Sequence, residues 1–432
     1  MNKKRNIVLL CGANPFKGPG IIALDLYKKF SLDGNTVKII SNQQFNSNNK
    51  DIISIANHSL QWKIFRHLTW YNIRKRVAYL SEKSFQKYVM VSVDKPELTL
   101  SVKEILDQTG FPVDIFIYMF SHNFLWPNIL EQLYRETNAP ILFWMMDSAA
   151  MTGGCHFTWD CNGYRDHCGN CPALNSKKSN DVTRKNMIVK ESIFKKIDLY
   201  PVYCTERQKQ MLLESSLFKE TKNFNVPIPV DKNYFKPIEN NFNRKKYSLP
   251  EDKKLIFFAA QNLDDERKGI KLLFDAFEYL SRSMVNAEKD KIVLVIAGKK
   301  LESISSKLPF KQHYLGYVTQ FDFSNILALV DLFVCPSIED TGPMMINQSL
   351  MSGTSVVSFD MGIASEVVKT GVTGYLAKVG DVRDLARGMN FVLNLNDLEK
   401  HQISKNSRDI AIEKFSVEKV SEQFYSIFDS IY

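Results

Sequence analysis

The chain has 432 residues, 44% hydrophobic and 24% charged, which is the balance of a soluble globular protein at a length that suits two domains better than one core. With 56 Lys and Arg against 47 Asp and Glu the net charge is +9, a modest excess that does not mark a nucleic-acid binder but permits contact with an anionic membrane or a phosphate-bearing substrate. No apolar run approaches the roughly eighteen residues of a membrane-spanning helix, and seven cysteines are too few for a disulfide scaffold.

The opening MNKKRNIVLLCGANPF has a positive start and a short apolar run broken by Gly12, Asn14 and Pro15, so it reads as a first strand and not as a signal peptide. A strand over 6–11, the loop NPFKGPG at 14–20, a helix over 21–30 and a strand over 37–41 make one βαβ unit. Between 58 and 88, basic residues such as Lys63, Arg66, Arg74 and Arg76 mingle with Trp62, Phe65, Trp70 and Tyr71. This is either a basic aromatic helix lying on anionic lipid or a charged helix whose rings enter the first domain's core. Strands follow over 114–120, 140–146 and 198–202, with a helix over 128–137 between the first two. The segment 223–237 carries three prolines and reads as a linker.

The rhythm then restarts. Strands are expected over 254–259, 291–297, 329–337 and 355–359, and helices over 270–282, 324–328 and 344–351. Two alternating halves imply two doubly wound α/β domains with parallel sheets, each binding ligand at the carboxyl ends of its strands. Near the end, Val417, Val420, Phe424, Ile427, Phe428 and Ile431 recur at helical spacing and make one stripe.

Three tracts carry chemistry. In CPSIEDTGPMMINQSLMSG, from Cys335, a buried strand runs through a loop into a helix, and the helix start at Met344 and Met345 presents backbone N–H groups to an anion. Glu339 and Asp340 in that loop are either ligand-facing acids or a solvated pair. AAQNLDDERKG, from Ala259, places Arg267 and Lys268 between a strand and a helix; Lys268 is either a cation for a phosphate or a charged cap on a surface helix. The third tract follows the strand at 140–146 with Asp147, then TGGCH at 152–156, then C-x-x-C. Its Cys155, Cys161, Cys168 and Cys171 could wrap a tetrahedral structural zinc, or be reduced or disulfide-paired thiols packing an irregular loop. The sequence suggests no open catalytic metal site, and it has no acidic DxD triplet.

Asp340, Gln348, Gly353 and the run GIASEVVKTGVTGYLA at 362–377 resemble the donor-site block of family 4 retaining glycosyltransferases with the GT-B fold. Residues 141–174 resemble a group in that family that assembles bacterial surface polysaccharides. The resemblance implies two Rossmann-like domains facing an interdomain cleft: an acceptor-side domain over 1–225 with a Cys-rich insertion at 151–175, a nucleotide-sugar domain over 226–415, and a helix over 416–432 crossing back to the first. It implies a nucleotide-diphosphate sugar as donor, no catalytic metal, and transfer of a hexose-type sugar with retention onto a glycan acceptor that is lipid-linked. Arg267 and Lys268 would meet the diphosphate, with Gln261 or Asn262 where the family has Arg. Gln348 would hold the ribose, Asp340 and Glu339 with the Met344 and Met345 N–H groups would surround the sugar, Gly18 and Gly20 would approach the donor phosphates or the acceptor, and Asp147 would contact the acceptor or the transferred sugar. The implied location is cytoplasmic, peripheral on the inner face of the membrane through 58–88, with no nucleic-acid partner. The family has Glu at both acidic positions and its polysaccharide group has His before the Asp, whereas this chain has Asp340, Gln348 and Met146. Those three departures also fit a GT-B glycan-binding or scaffolding protein that has lost catalysis.

Overall fold

A computed structural model describes residues 3–55, 87–89, 102–121, 124–238, 244–260, 264–298 and 308–432. The basic aromatic segment, apart from Lys87 and Tyr88, and both Gln261 and Asn262 lie outside the described residues.

Two compact units divide the chain: Met1–Pro227 together with Ser421–Tyr432, and Ile228–Val420. In the first unit β1 (Asn6–Cys11), β2 (Thr36–Ser41), β3 (Ile52–Ser54), β4 (Ile115–Met119), β5 (Ile141–Trp144), β6 (Leu199–Tyr203) and β7 (Phe224–Asn225) form one sheet in the order β3-β2-β1-β4-β5-β6-β7, each neighbour parallel. In the second, β8 (Lys254–Ala260), β9 (Ile292–Gly298), β10 (Lys311–Gly316), β11 (Leu332–Cys335), β12 (Val356–Phe359) and β13 (Gly374–Ala377) run in the order β10-β9-β8-β11-β12-β13, again parallel throughout. The central strands are uninterrupted apolar runs, IFIYM in β4, ILFW in β5 and LFVC in β11, and each is buried along its whole length. Strands covered on both faces have no need of alternation. Parallel neighbours cannot be joined by hairpins, so the chain crosses over between them, as in the Ile21–Leu32, Pro127–Thr137 and Ile270–Arg282 helices.

Both sheets reverse their direction of growth at one place, between β1 and β4 in the first and between β8 and β11 in the second. At such a point the loops leaving adjacent strands diverge and leave room for a ligand at the carboxyl edge.

Two expectations shift. The apolar run at 329–337 is not all strand: the Gln320–Leu329 helix takes its first residue, Val330 N closes that helix on Ile326 O at 3.2 Å, and β11 starts at Leu332. Within the segment read as a linker, Phe224 and Asn225 pair with Val202 and Tyr203 as an edge strand, and Val226 N donates to Tyr203 O at 2.9 Å just before Pro227. The closing Val417–Ile431 helix buries Val420, Phe424, Ile427 and Phe428, with the Phe424 ring 5.1 Å from Trp144 and 5.9 Å from Phe30 in the first unit. Among the described residues no helix is long and apolar enough to cross a membrane.

Candidate functional site

β11 pairs with β8 through Leu332↔Ile256 and Phe333↔Phe257, so the loops leaving their carboxyl ends start side by side. After β8, Glu266–Lys268 makes a single 3-10 turn whose N-cap is Asp265, the carboxylate accepting the Arg267 N–H at 3.1 Å. Gly269 then turns the chain into the Ile270–Arg282 helix with φ of 62°. A Cβ there would stand 1.9 Å from the Pro336 carbonyl oxygen, so only glycine allows both the left-handed turn and this approach of the two loops. Ile338 N donates to Arg267 O at 2.8 Å, and Arg267 Nη1 donates to Glu339 O at 3.4 Å. Backbone and side chain thus stitch the two loops together.

The result is an ion cluster built from residues 72 positions apart in the chain. Lys268 Nζ lies 2.6 Å from Asp340 Oδ2, Arg267 Nη1 lies 3.9 Å from the same oxygen, and Arg267 Nη2 lies 2.5 Å from Asp265 Oδ2. The side chains of Arg267 and Asp340 are each 11% exposed and that of Lys268 23%, so these pairs are poorly screened by water. Lys268 is therefore not a solvated helix cap, and Glu339 and Asp340, both turned inward, are not a solvated pair. Asp340 Oδ1 accepts the Gly342 N–H at 3.2 Å, and this turn delivers the chain through Pro343 to the Met344–Met351 helix. The first N–H groups of that helix, at Met344 and Met345, have no acceptor within it by geometry, and buried Gln348 stands one turn along on the face of Met344. The structure thus gathers Arg267, Lys268, Glu339 and Asp340, with the helix of Met344, Met345 and Gln348 following directly, at the reversal point of the second sheet.

Asp147, Gly18, Gly20 and the cysteines belong to the first unit. Gly18–Gly20 is a 3-10 turn ahead of the Ile21–Leu32 helix, and the space a Gly20 Cβ would need is taken by the Asn14 carbonyl oxygen, 2.1 Å away. Asp147 follows β5 beside a recess whose walls include Phe120, Ser121, Met145 and Met146. Phe120, just past β4, has a positive φ of 51°, a conformation that costs a bulky residue energy and is often kept at functional sites. Asp147 Oδ1 accepts the Ala149 N–H at 2.8 Å, and Oδ2 lies 2.6 Å from Nδ1 of buried His156. This pairing escaped the sequence reading, which set His156 among the cysteines. The chain folds back over nine residues through a 3-10 turn, and no periodicity announces such a return.

All seven cysteines are free thiols, so the disulfide-paired alternative is not realised. Burial raises the Cys168 thiol to about 12 and pushes Cys155 and Cys171 up as well, which keeps them protonated at neutral pH. Among the described residues no three His, Cys, Asp or Glu side chains stand where they could hold a metal ion. Cys171 packs with Ala173, Leu174, Tyr88, Cys155 and Val182 in a small apolar cluster.

Residues 239–409 match a family model described as glycosyl transferases group 1. N-acetyl-alpha-D-glucosaminyl L-malate synthase of Bacillus anthracis is 24% identical over 189 residues, 43% of this chain and 48% of the relative. The N,N'-diacetylbacillosaminyl-diphospho-undecaprenol alpha-1,3-N-acetylgalactosaminyltransferase of Campylobacter jejuni is 23% identical over 196 residues, 42% of this chain and 49% of the relative. The chain thus spans about half the length of these curated relatives. Among solved structures, HepE of Anabaena in complex with UDP and glucose superposes with a TM-score of 0.62 at 14% identity, covering 99% of this chain and 100% of the other. The fold is GT-B, and residues 239–409 are similar to the glycosyl transferases group 1.

Proposed function

We propose that the protein is a retaining glycosyltransferase that moves a hexose-type sugar from a nucleotide-diphosphate donor to a lipid-linked glycan acceptor in bacterial surface polysaccharide synthesis. The observation that carries this reading is the meeting of Arg267, Lys268 and Asp340 at the reversal point of the second sheet, inside the matched domain. When the bond between the anomeric carbon and the β-phosphate oxygen breaks, negative charge builds on the leaving diphosphate. Cations fixed beside it stabilise that charge more than they stabilise the ground state. The acceptor oxygen attacks from the face the diphosphate leaves, which keeps the anomeric configuration, and the acceptor proton passes to a leaving phosphate oxygen. No protein nucleophile is needed. Gln348 would hold the ribose, Asp340 and Glu339 the sugar hydroxyls, and Asp147, held by His156, the acceptor. Residues 58–88 would touch the inner face of the membrane.

The relatives support the reading through their names, one acting on a diphospho-undecaprenol substrate, and HepE through its bound UDP and glucose. The competing reading, a catalytically silent scaffold, draws on the carboxylates that already neutralise Lys268 and Arg267. Calorimetry with a panel of sugar nucleotides separates the two, since a scaffold binds none. Lys268→Ala is expected to lower turnover of the donor that binds by about a hundredfold or more, the scale of losing one transition-state donor. Near-normal turnover refutes the role.

A further inference from the structure

We propose that Asp340 is a carboxylate stand-in for phosphate on Lys268, which a nucleoside diphosphate must displace before it can gain that cation. This rests on the donor-site reading above and extends it to the order of events. Two cations, Arg267 and Lys268, are already paired with two carboxylates, Asp265 and Asp340, and buried Glu339 stands beside them, so neither cation waits unanswered for an anion. A diphosphate placed on Lys268 with Asp340 still 2.6 Å away would set like charges on one ammonium among side chains no more than 26% exposed. One of the two anions has to leave.

The two carboxylates are not equally free to do so. Asp265 belongs to the same turn as Arg267, caps its backbone N–H at 3.1 Å and pairs with its guanidinium at 2.5 Å, so it moves only if the turn moves. Asp340 lies on the opposite loop, and beyond its ion pairs it is tied by the Gly342 N–H at 3.2 Å through Oδ1, a bond about which the carboxylate can swing and still cap the turn. The exchange therefore runs through Asp340. Donor binding releases Oδ2 from Lys268 and frees it for a sugar hydroxyl beside the same phosphate, so one event loads the cation and arms the acid. Nucleotide affinity is held down by the competing carboxylate, while catalysis depends on it.

The test is calorimetric titration of UDP into the wild type, Asp340→Asn, Lys268→Met and the double variant, each checked by thermal melting. The Asp340→Asn change keeps an oxygen that can accept from Gly342 while losing the charge, and Asp340→Ser is a second neutral replacement that can still cap that turn. Asp340→Asn is expected to bind UDP about tenfold tighter, or about 1.4 kcal/mol, and to turn over a UDP-sugar more slowly. In the Lys268→Met background the gain should vanish, because the coupling between the two residues is gone. If the wild type binds UDP and both neutral variants bind it no tighter, the stand-in role is overturned while the donor site remains. A gain that persists without Lys268 overturns it as well. If the wild type binds neither UDP, ADP nor GDP, the donor-site reading itself falls and takes this inference with it.

Discussion

Gly269→Ala tests whether the stitching of the β8 and β11 loops builds the ion cluster. Its φ of 62° costs an alanine about 1–2 kcal/mol in the left-handed region. The new methyl would also sit 1.9 Å from the Pro336 carbonyl oxygen and 2.9 Å from its carbon, where ordinary contact begins near 3.4 Å. The obstacle is backbone, so no rotamer change relieves it, and the two loops must part by about 1.5 Å, the difference between 3.4 and 1.9 Å. With the strain of that parting the expected loss of stability is about 2–4 kcal/mol, in the range of the larger single-residue effects. Lys268 is the next residue, and a shift of that size breaks a 2.6 Å contact with Asp340 and misplaces the cation for a diphosphate. Misplacement by about 1 Å can cost a hundredfold in rate. Denaturant unfolding should show the loss of stability, and UDP titration well below the melting temperature should show weaker binding in protein that is still folded. A variant within about 0.5 kcal/mol of wild type and with unchanged UDP affinity would refute the argument, since the loops would then tolerate separation.

Asp147→Asn removes the charge facing His156 Nδ1 at 2.6 Å and is expected to lower transfer to acceptor about tenfold or more while leaving UDP affinity within about twofold; a parallel fall in UDP affinity would move Asp147 to the donor side. Tyr425→Phe deletes the hydrogen bond to Asp33 Oδ2 at 2.8 Å and the one received from Asn35 Nδ2 at 3.0 Å, at a cost of about 1–2 kcal/mol read by denaturant unfolding. Burial, and then the Asp33 carboxylate, push the Tyr425 phenol upward, so the folded state holds its proton more tightly than the unfolded chain. The resulting stability is present below about pH 10, the ordinary phenol value, and is lost as pH rises through the folded-state value. The variant should therefore lose less stability than wild type on going above pH 10; an identical alkaline profile would exclude the phenol as a contributor.

Local pattern carried the architecture where one element accounts for each run. The Met344–Met351 helix lies where Pro343 before it and Gly353 after it punctuate the chain, and β1 ends where Gly12 interrupts the apolar residues. Boundaries failed where two elements share a run, as at Leu329 and Val330, because apolar character does not say whether a residue closes a helix or opens a strand. The candidate site was legible as residue types placed after strands, which is how Arg267, Lys268 and Asp340 were found. Their mutual pairing was not, nor was that of Asp147 with His156, because a contact set by strand order and backbone stitching leaves no trace in sequence spacing. The cysteine tract shows a different limit: its spacing fits either a metal site or packed thiols, and only the folded loop shows Cys171 and Cys155 among Ala173, Leu174 and Val182.

Because the first unit draws on both Met1–Pro227 and Ser421–Tyr432, its manufacture is divided in time. A ribosome releases β1 through β7, then nearly two hundred residues of the second unit, before Phe424 and Phe428 arrive to cover Phe30 and Trp144. Throughout that interval the aromatic seam of the first unit waits for its cover, and a stop codon that removes only the final helix would damage the half of the protein made first.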